Sequence, residues 1–152
     1  MFKNILIPVD HSELMVTAVR EGMAFAKSIG AKVTGFHATP RFHHAILQEG
    51  AFKSLSPTEH EEYDKREKAR DEKCLDLVRD LAEDEGVPCE CFCEFSDYPH
   101  QAIIKAAQDK GCDLILVTSH DWRGISDLIV ASETTKVVSH STIPVLVWPM
   151  TR

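Results

Sequence analysis

The sequence has no apolar run long enough to cross a membrane and no excess of positive charge. Its first apolar run, Ile5 to Val9, is closed by Asp10 and is too short for a secretory signal or a transmembrane helix. Lys and Arg number 17 against 24 Asp and Glu, which gives a formal net charge of −7. Because nucleic acids and anionic lipid surfaces are bound by clustered cations, neither is an expected partner. We therefore expect a cytoplasmic protein.

Common catalytic motifs are also missing. The chain contains no G-x-x-x-x-G-K-[S/T] phosphate loop, no H-E-x-x-H zinc motif and no G-x-S-x-G nucleophile motif. A nucleotide-using transferase or hydrolase is therefore the least favoured class of function. We predict no catalytic residue, and we expect the protein not to be an enzyme.

The cysteines number five, which is odd, and three of them alternate along one segment. Cys89, Cys91 and Cys93 would share one face of a strand, at a spacing of roughly 6 to 7 Å. Thiolates that share a zinc ion lie closer together, since each is about 2.3 Å from the metal. A zinc site stays an alternative here, but reduced cysteines that act as small core residues are favoured.

The 152 residues suffice for one buried core and are too few for two ordinary domains, so we predict one domain over residues 1–152. Strand-like and helix-like segments alternate, and no hairpin turn joins two strands. This alternation predicts a three-layer α/β sandwich, in which a five-stranded parallel sheet of order 3-2-1-4-5 has helices on both faces. The predicted strands are Phe2 to Val9, Lys32 to Ala38, Cys89 to Phe95, Asp113 to Thr118 and Val145 to Trp148.

The ends of the predicted helices are marked by capping residues. Candidate amino-terminal caps are Ser12, the capping-box pair Thr58 and Glu61, Asp97 and Ser132. Gly30, Gly86 and Gly111 are expected to end the first three helices. Residues 39–56 have no periodic pattern and are predicted to form a surface loop.

A ligand site is expected where the strand order reverses. In open parallel sheets, ligands bind beyond the carboxyl ends of the strands at that point. Segments 8–12 and 118–124 follow the first and fourth strands, and the amino end of the last helix would offer free N–H groups to phosphate. The predicted binding residues are Pro8, Val9, Asp10, Ser119, His120, Arg123, Ser132, Glu133 and Thr134.

Several residues near this site also have a structural interpretation. Asp10 could cap the first helix together with Ser12. His11 and His120 have no Asp, Glu or Cys at a metal-binding spacing, so surface histidines are favoured and no metal site is predicted. Trp122 could stack on a purine or cover a loop, and the second interpretation is favoured.

The two ends of the chain resemble a known family. The opening segment contains I-L-I-P-V-D-x-S, and the closing segment contains S-x-x-T-K-V-V-x-H-S followed by I-P-V-L-V. In this order and spacing, the motifs resemble universal stress proteins over essentially the whole chain. The resemblance implies a Rossmann-like, adenine nucleotide alpha hydrolase-like fold, a regulatory role in the stress response, and at most very slow ATP hydrolysis.

The resemblance also bears on nucleotide binding. In nucleotide-binding members, a loop of pattern G-x2-G-x9-G-[S/T] wraps the ATP phosphates, and an Asp after the first strand lies by the ribose and metal. The resemblance places that Asp at Asp10 and the three glycines at Thr118, Asp121 and Ala131. A Cβ blocks close approach to phosphate, and a carboxylate repels it. We therefore expect weak or absent binding, while a module for ATP or AMP with Mg²⁺, aided by Arg123, is the alternative.

The last predicted strand suggests a partner. In the order 3-2-1-4-5 it lies at a sheet edge, and its apolar residues Val145, Leu146 and Val147 favour pairing with a second copy. The resemblance implies a homodimer through the same surface. Alternatively, Pro149 and the tail protect the edge. The expected function is that of a homodimeric stress-response regulator.

Overall fold

Strands and helices alternate along the part of the chain that the structure describes. This computed structural model describes residues 1–41, 56–120 and 125–150, and for 119–120 and 125–132 it describes the backbone alone. The elements are β1 Asn4–Pro8, α1 Met15–Ile29, β2 Lys32–Thr39, α2 Pro57–Glu85, β3 Cys89–Phe95, α3 Pro99–Asp109, β4 Leu114–His120, α4 Ile125–His140 and β5 Val145–Met150. Most of the predicted loop 39–56, including His43 and His44, lies outside the described residues.

Strand β1 occupies the middle of a five-stranded sheet. The strand order is β3-β2-β1-β4-β5, and every pairing is parallel. The sequence prediction of fold class and strand order is thus confirmed. Since neighbours on both sides pair with β1, its carboxyl end meets those of β2 and β4, and the strand order reverses there.

The two faces of the sheet carry separate apolar clusters. Ile5 and Ile7 pack on one face with residues of α1 and α2, whereas Leu6 packs on the other face with residues of α3 and with Val137 of α4. All three β1 side chains are at most 1% exposed. Full burial of such a side chain contributes about 1.5–3 kcal/mol. This burial on both faces produces the predicted three layers.

Glycine ends the helices where predicted. Gly30 and Gly86 are the carboxyl-terminal caps of α1 and α2, with φ values of 68° and 71°. Gly111, with φ 63°, directly follows Lys110, the cap of α3. These φ values lie in the left-handed region, which glycine adopts at little cost in free energy because it has no Cβ.

The amino-terminal caps of α1 and α3 differ from the prediction. Helix α1 begins after Leu14 without a side-chain cap, so Ser12 does not cap it. Instead, the Ser12 N–H donates to Oδ1 of Asp10 at 2.9 Å, which closes a turn ahead of the helix. Asp97 does not cap α3 either, because its Oδ1 accepts from the backbone N–H of Arg41 at 2.9 Å.

Helix α2 has a capping box, but two residues earlier than predicted. The Ser56 hydroxyl accepts from the Glu59 N–H, and the Glu59 carboxylate accepts from the Ser56 N–H, so Thr58 and Glu61 lie inside the helix. Pro57 suits the first helical position because it has no N–H to satisfy there. Within the described ranges, no helix combines the length and apolar character needed to span a bilayer.

The region between β4 and β5 also differs from the prediction. Strand β4 continues to His120, and α4 begins at Ile125, so Ser132 is an interior residue of the helix rather than its cap. Glu133 and Thr134 likewise lie within α4. Backbone N–H groups inside a helix are bound to carbonyls four residues earlier. The predicted phosphate site on free N–H groups at 132–134 is therefore wrong.

Candidate functional site

A cleft of about 280 Å³ lies at the carboxyl ends of β1, β2 and β4. This is the place predicted from the reversal of strand order. Among the described residues, its apolar walls are formed by Val9, Phe36, Ala38, Ile103, Val117 and Val137. Its polar side chains are Asp10, His37, Thr118, Glu133 and Thr134. The cleft is thus mainly apolar and contains two carboxylates.

Five of the predicted binding residues border the cleft. Pro8, Val9 and Asp10 reach it from the end of β1, and Glu133 and Thr134 reach it from α4. The topological rule therefore predicted their position at the cleft, while their role in binding stays a prediction, and the reason given for the α4 pair, a helix amino end, does not hold.

The other four predicted residues have no described side chain at the cleft. Ser119 and His120 are strand residues of β4, opposite Pro149 and Met150 of β5, rather than loop residues. Ser132 lies in α4. The side chains of these three residues are outside the described part of the structure. Arg123 lies outside it altogether, as do Asp121, Trp122 and Gly124.

The prediction missed the contribution of β2. Phe36, His37 and Ala38 line the cleft because β2 runs parallel to β1 and ends at the same edge of the sheet. The His37 Nδ1 lies 2.7 Å from the carbonyl oxygen of Val9, and the Val9 N–H donates to the carbonyl of Phe36 at 2.8 Å. The parallel pairing implied by the sequence was the signal that could have identified these residues.

Asp10 has a structural role at the rim of the cleft. It is exposed, and its Oδ1 accepts the Ser12 N–H, so its carboxylate shapes the turn between β1 and α1. The interpretation of Asp10 as a cap of the first helix together with Ser12 is therefore wrong, because α1 begins after Leu14 without a side-chain cap. Its position in the cleft lining leaves it available to a ligand as well.

Glu133 joins the two helices that cover this face of the sheet. Its Oε2 accepts the His100 N–H in the first turn of α3 at 3.1 Å, and Oε1 lies 3.0 Å from Lys136 Nζ. Burial alone would raise the pKa of Glu133, but hydrogen bonds from Lys136 and from the backbone and ring of His100 outweigh it and lower the pKa. The carboxylate therefore stays ionised, and the Lys136 ammonium compensates part of its negative charge.

The thiols of β3 lie closer together than predicted. The Sγ atoms of Cys89 and Cys91 are 3.6 Å apart. Their hydrogen bond lowers the pKa of Cys89 and raises that of Cys91, whose burial acts in the same direction. Both thiols pack against the core shared with α1 and α2, as favoured from the sequence.

His11 is not the unpartnered surface histidine that the sequence suggested. Its Nε2 lies 2.8 Å from Oδ1 of Asp71, a fully buried carboxylate of α2. Asp71 is 60 residues away along the chain, so a search for local metal-binding or relay spacings could not find it.

The fold and the cleft together define a Rossmann-like α/β protein with an adenine nucleotide alpha hydrolase-like fold. The model of the universal stress protein family matches residues 1–149. The chain therefore belongs to the universal stress protein family.

Relatives from several organisms support this assignment. The chain is 28% identical over 155 residues to universal stress protein MJ0577 of Methanocaldococcus jannaschii, covering 97% of this chain and 94% of the relative. A solved structure of MJ0577 matches with a TM-score of 0.76 at 24% identity, over 100% of this chain and 99% of that one.

Two further solved structures carry nucleotides. A universal stress protein in complex with cAMP matches with a TM-score of 0.65 at 17% identity, covering 96% of this chain and 95% of that one. The universal stress protein from Archaeoglobus fulgidus in complex with dAMP matches with a TM-score of 0.66 at 16% identity, covering 96% and 97%. At sequence identities this low, the similarity shows a shared fold and nothing more.

The lowered pKa of Glu133 predicts a pH-dependent contribution to stability. A carboxyl group whose pKa is lower in the folded protein stabilises the fold at pH values above its ordinary pKa of 4.5. This contribution is lost as the pH falls through the lowered pKa. Glu133→Gln should reduce the free energy of unfolding at neutral pH by about 1 kcal/mol, since the group is partly exposed. It should also weaken the loss of stability in acid.

Urea unfolding across a pH series measures both effects. Glu85→Gln is a matched control, because the Glu85 side chain is 31% exposed against 32% for Glu133 and lies 3.6 Å from Lys27. Glu85→Gln should change the free energy of unfolding and its pH dependence less than Glu133→Gln does. Equal effects of the two substitutions at every pH would contradict the role given to Glu133.

Proposed function

We propose that this protein is a stress-response regulator that acts as a homodimer through protein contacts and binds nucleotide weakly or not at all. The observation that carries this proposal is the charge of the cleft. Among its described lining residues, Asp10 and Glu133 supply carboxylates and none is Lys or Arg, although Lys136 pairs with Glu133 from outside the lining. Phosphate groups need the opposite sign of charge or free N–H groups.

The sequence of the phosphate loop supports weak binding of ATP. The family resemblance assigns Thr118 to the first loop glycine, and Thr118 lines the cleft, so its Cβ would hinder close approach of the backbone to phosphate there. Asp121 and Ala131, in the other two glycine positions, have side chains outside the described part. A carboxylate about 4 Å from a phosphate charge opposes binding by roughly 1 kcal/mol in water and about 4 kcal/mol at an effective dielectric of 20.

An adenine mononucleotide module is the second candidate. The apolar walls of the cleft suit a purine ring, and a single phosphate demands less of the loop than three. The similar structures solved with cAMP and dAMP favour this candidate. Were ATP bound instead, Asp10 would be the residue that holds its Mg²⁺.

The homodimer is proposed from the free edge of β5. The Ile115 N–H donates to the carbonyl of Pro144 at 3.0 Å, so Pro144 faces β4. The backbone N–H and C=O groups of successive residues point to opposite sides of a strand. Those of Val145 and Val147 therefore point away from β4, towards the open edge of the sheet. The Val147 side chain is also 41% exposed. Pro149 also faces the open edge, so its lack of an N–H group removes no hydrogen bond to β4.

Weak ATP binding can be tested by removing the loop carboxylate. Asp121→Asn should strengthen ATP binding about fivefold or more, because it removes a repulsion of roughly 1 kcal/mol or above. Asp80→Asn removes the same charge from an exposed position on α2 and should leave the affinity unchanged. Isothermal titration calorimetry gives the affinities. Stoichiometric ATP in the wild-type protein as purified, detected by native mass spectrometry, would contradict the proposal.

The mononucleotide candidate predicts that filling the cleft abolishes binding. Ala38→Leu adds volume to the cleft wall, whereas Ala24→Leu adds the same volume on the exposed side of α1. AMP should raise the melting temperature of the wild type and of Ala24→Leu but not that of Ala38→Leu. No AMP-dependent shift in the wild type, or the same shift in all three proteins, would remove this candidate.

The dimer proposal predicts that a charge at the β5 edge separates the subunits. Val147→Glu should shift the protein from dimer to monomer, because an edge carboxylate opposes pairing with a second strand. Val138→Glu is the matched control, since Val138 is an equally large side chain on α4 with 49% exposure. Sedimentation equilibrium measures both. A monomeric wild type, or a dimer unaffected by Val147→Glu, would contradict the interface.

A further inference from the structure

Three side chains that are far apart in sequence converge next to the cleft. His11 follows β1, His37 lies in β2, and Asp71 lies in α2. The His11 Nε2 is 2.8 Å and the His37 Nε2 is 3.4 Å from the same oxygen, Oδ1 of Asp71. One potential metal-binding atom from each residue lies within 4.8 Å of the others. These three residues are called the His-His-Asp cluster below.

The Asp71 carboxylate is buried without a Lys or Arg partner in the described part of the chain. Its side chain is 0% exposed, and the side chains of His37 and His11 are 10% and 21% exposed. Its second oxygen, Oδ2, accepts a hydrogen bond from the Thr39 hydroxyl. A buried carboxylate is costly unless a positive charge compensates it. Any such charge must therefore come from the imidazoles or from a bound cation.

The contacts of the two histidines bear on these two sources. Its Nδ1 is 2.7 Å from the Val9 carbonyl oxygen, which can only accept, so Nδ1 carries a proton. In the neutral ring, Nε2 then has a lone pair, and this lone pair faces a carboxylate oxygen. The separation of 3.4 Å is long for a charge-assisted hydrogen bond, which is about 2.7–2.9 Å, whereas the 2.8 Å between His11 Nε2 and the same oxygen falls in that range. Without a metal, His11 therefore donates to Asp71, and zinc would replace this hydrogen bond. Two ligands of a tetrahedral zinc ion are about 3.3 Å apart, given zinc–nitrogen bonds of about 2.0–2.1 Å.

From this geometry we propose that the His-His-Asp cluster binds a zinc ion through the Nε2 atoms of both histidines and Oδ1 of Asp71. Two imidazoles and one carboxylate are a donor set that zinc prefers. The hydrogen bonds from His37 Nδ1 to Val9 and from Thr39 to Asp71 are outer contacts of the kind that orient metal ligands. The partial exposure of His11 leaves a fourth position to water.

The first test is a zinc titration of the full-length protein after removal of metals with a chelator. Competition with a chromogenic zinc indicator should give one zinc per chain. His11→Gln and His37→Gln should each weaken binding at least tenfold. His11 is the more informative position, because its side chain is 21% exposed against 10% for His37, so its replacement should lower the unfolding midpoint less than that of His37.

His100→Gln is the matched control. His100 also pairs with a carboxylate, that of Glu133 at 3.1 Å, and its side chain is 14% exposed. This variant should bind zinc as the wild type does. Absence of zinc binding in the wild type, or binding that is unchanged in both His11→Gln and His37→Gln, would overturn the proposal.

The second test identifies the donor atoms with Co²⁺ in place of zinc. The Cys89 and Cys91 thiols are the competing ligands, and thiolates give Co²⁺ an intense near-ultraviolet charge-transfer band. The cobalt protein should show visible d–d bands without that band, and the double variant Cys89→Ser with Cys91→Ser should give the same spectrum. A thiolate band in the wild-type cobalt protein would overturn the proposal, whether or not the double variant removes it.

Discussion

The parallel pairing of β1 with both β2 and β4 is the constraint on which the rest of the structure depends. It forces β1 to be apolar on both faces, as Ile5, Leu6 and Ile7 are, and it requires helices above and below the sheet. It also brings three strand ends to one edge. The cleft, the turn at Asp10 and the His-His-Asp cluster all lie at or beside that edge.

The strands and their order could be predicted from the sequence because buried strands have a clear pattern of apolar residues. The run Leu114 to Val117 is buried along its whole length, as a central parallel strand must be. Helix starts were harder to predict, because several polar residues near each start can cap and the backbone uses only one. Ser56 rather than Thr58 caps α2, and Asp97 binds a neighbouring backbone N–H instead of capping α3.

The candidate site could be predicted only where it follows from topology. Pro8, Val9 and Asp10 were found because they follow β1 directly. His37 and Asp71 were missed because their roles depend on contacts between elements distant in sequence, which no local spacing reveals. Glu133 was found for the wrong reason, since its carboxylate binds the first turn of α3 while its own N–H lies inside α4.

The bond between Glu133 and His100 has a mechanical consequence. Both helices contribute to the cleft, α3 through Pro99 and Ile103 and α4 through Glu133, Thr134 and Val137. Because the carboxylate binds the first turn of α3, the two helices cannot separate at the cleft without breaking this hydrogen bond. A ligand that needs a wider cleft would therefore bind less tightly by the free energy of that bond.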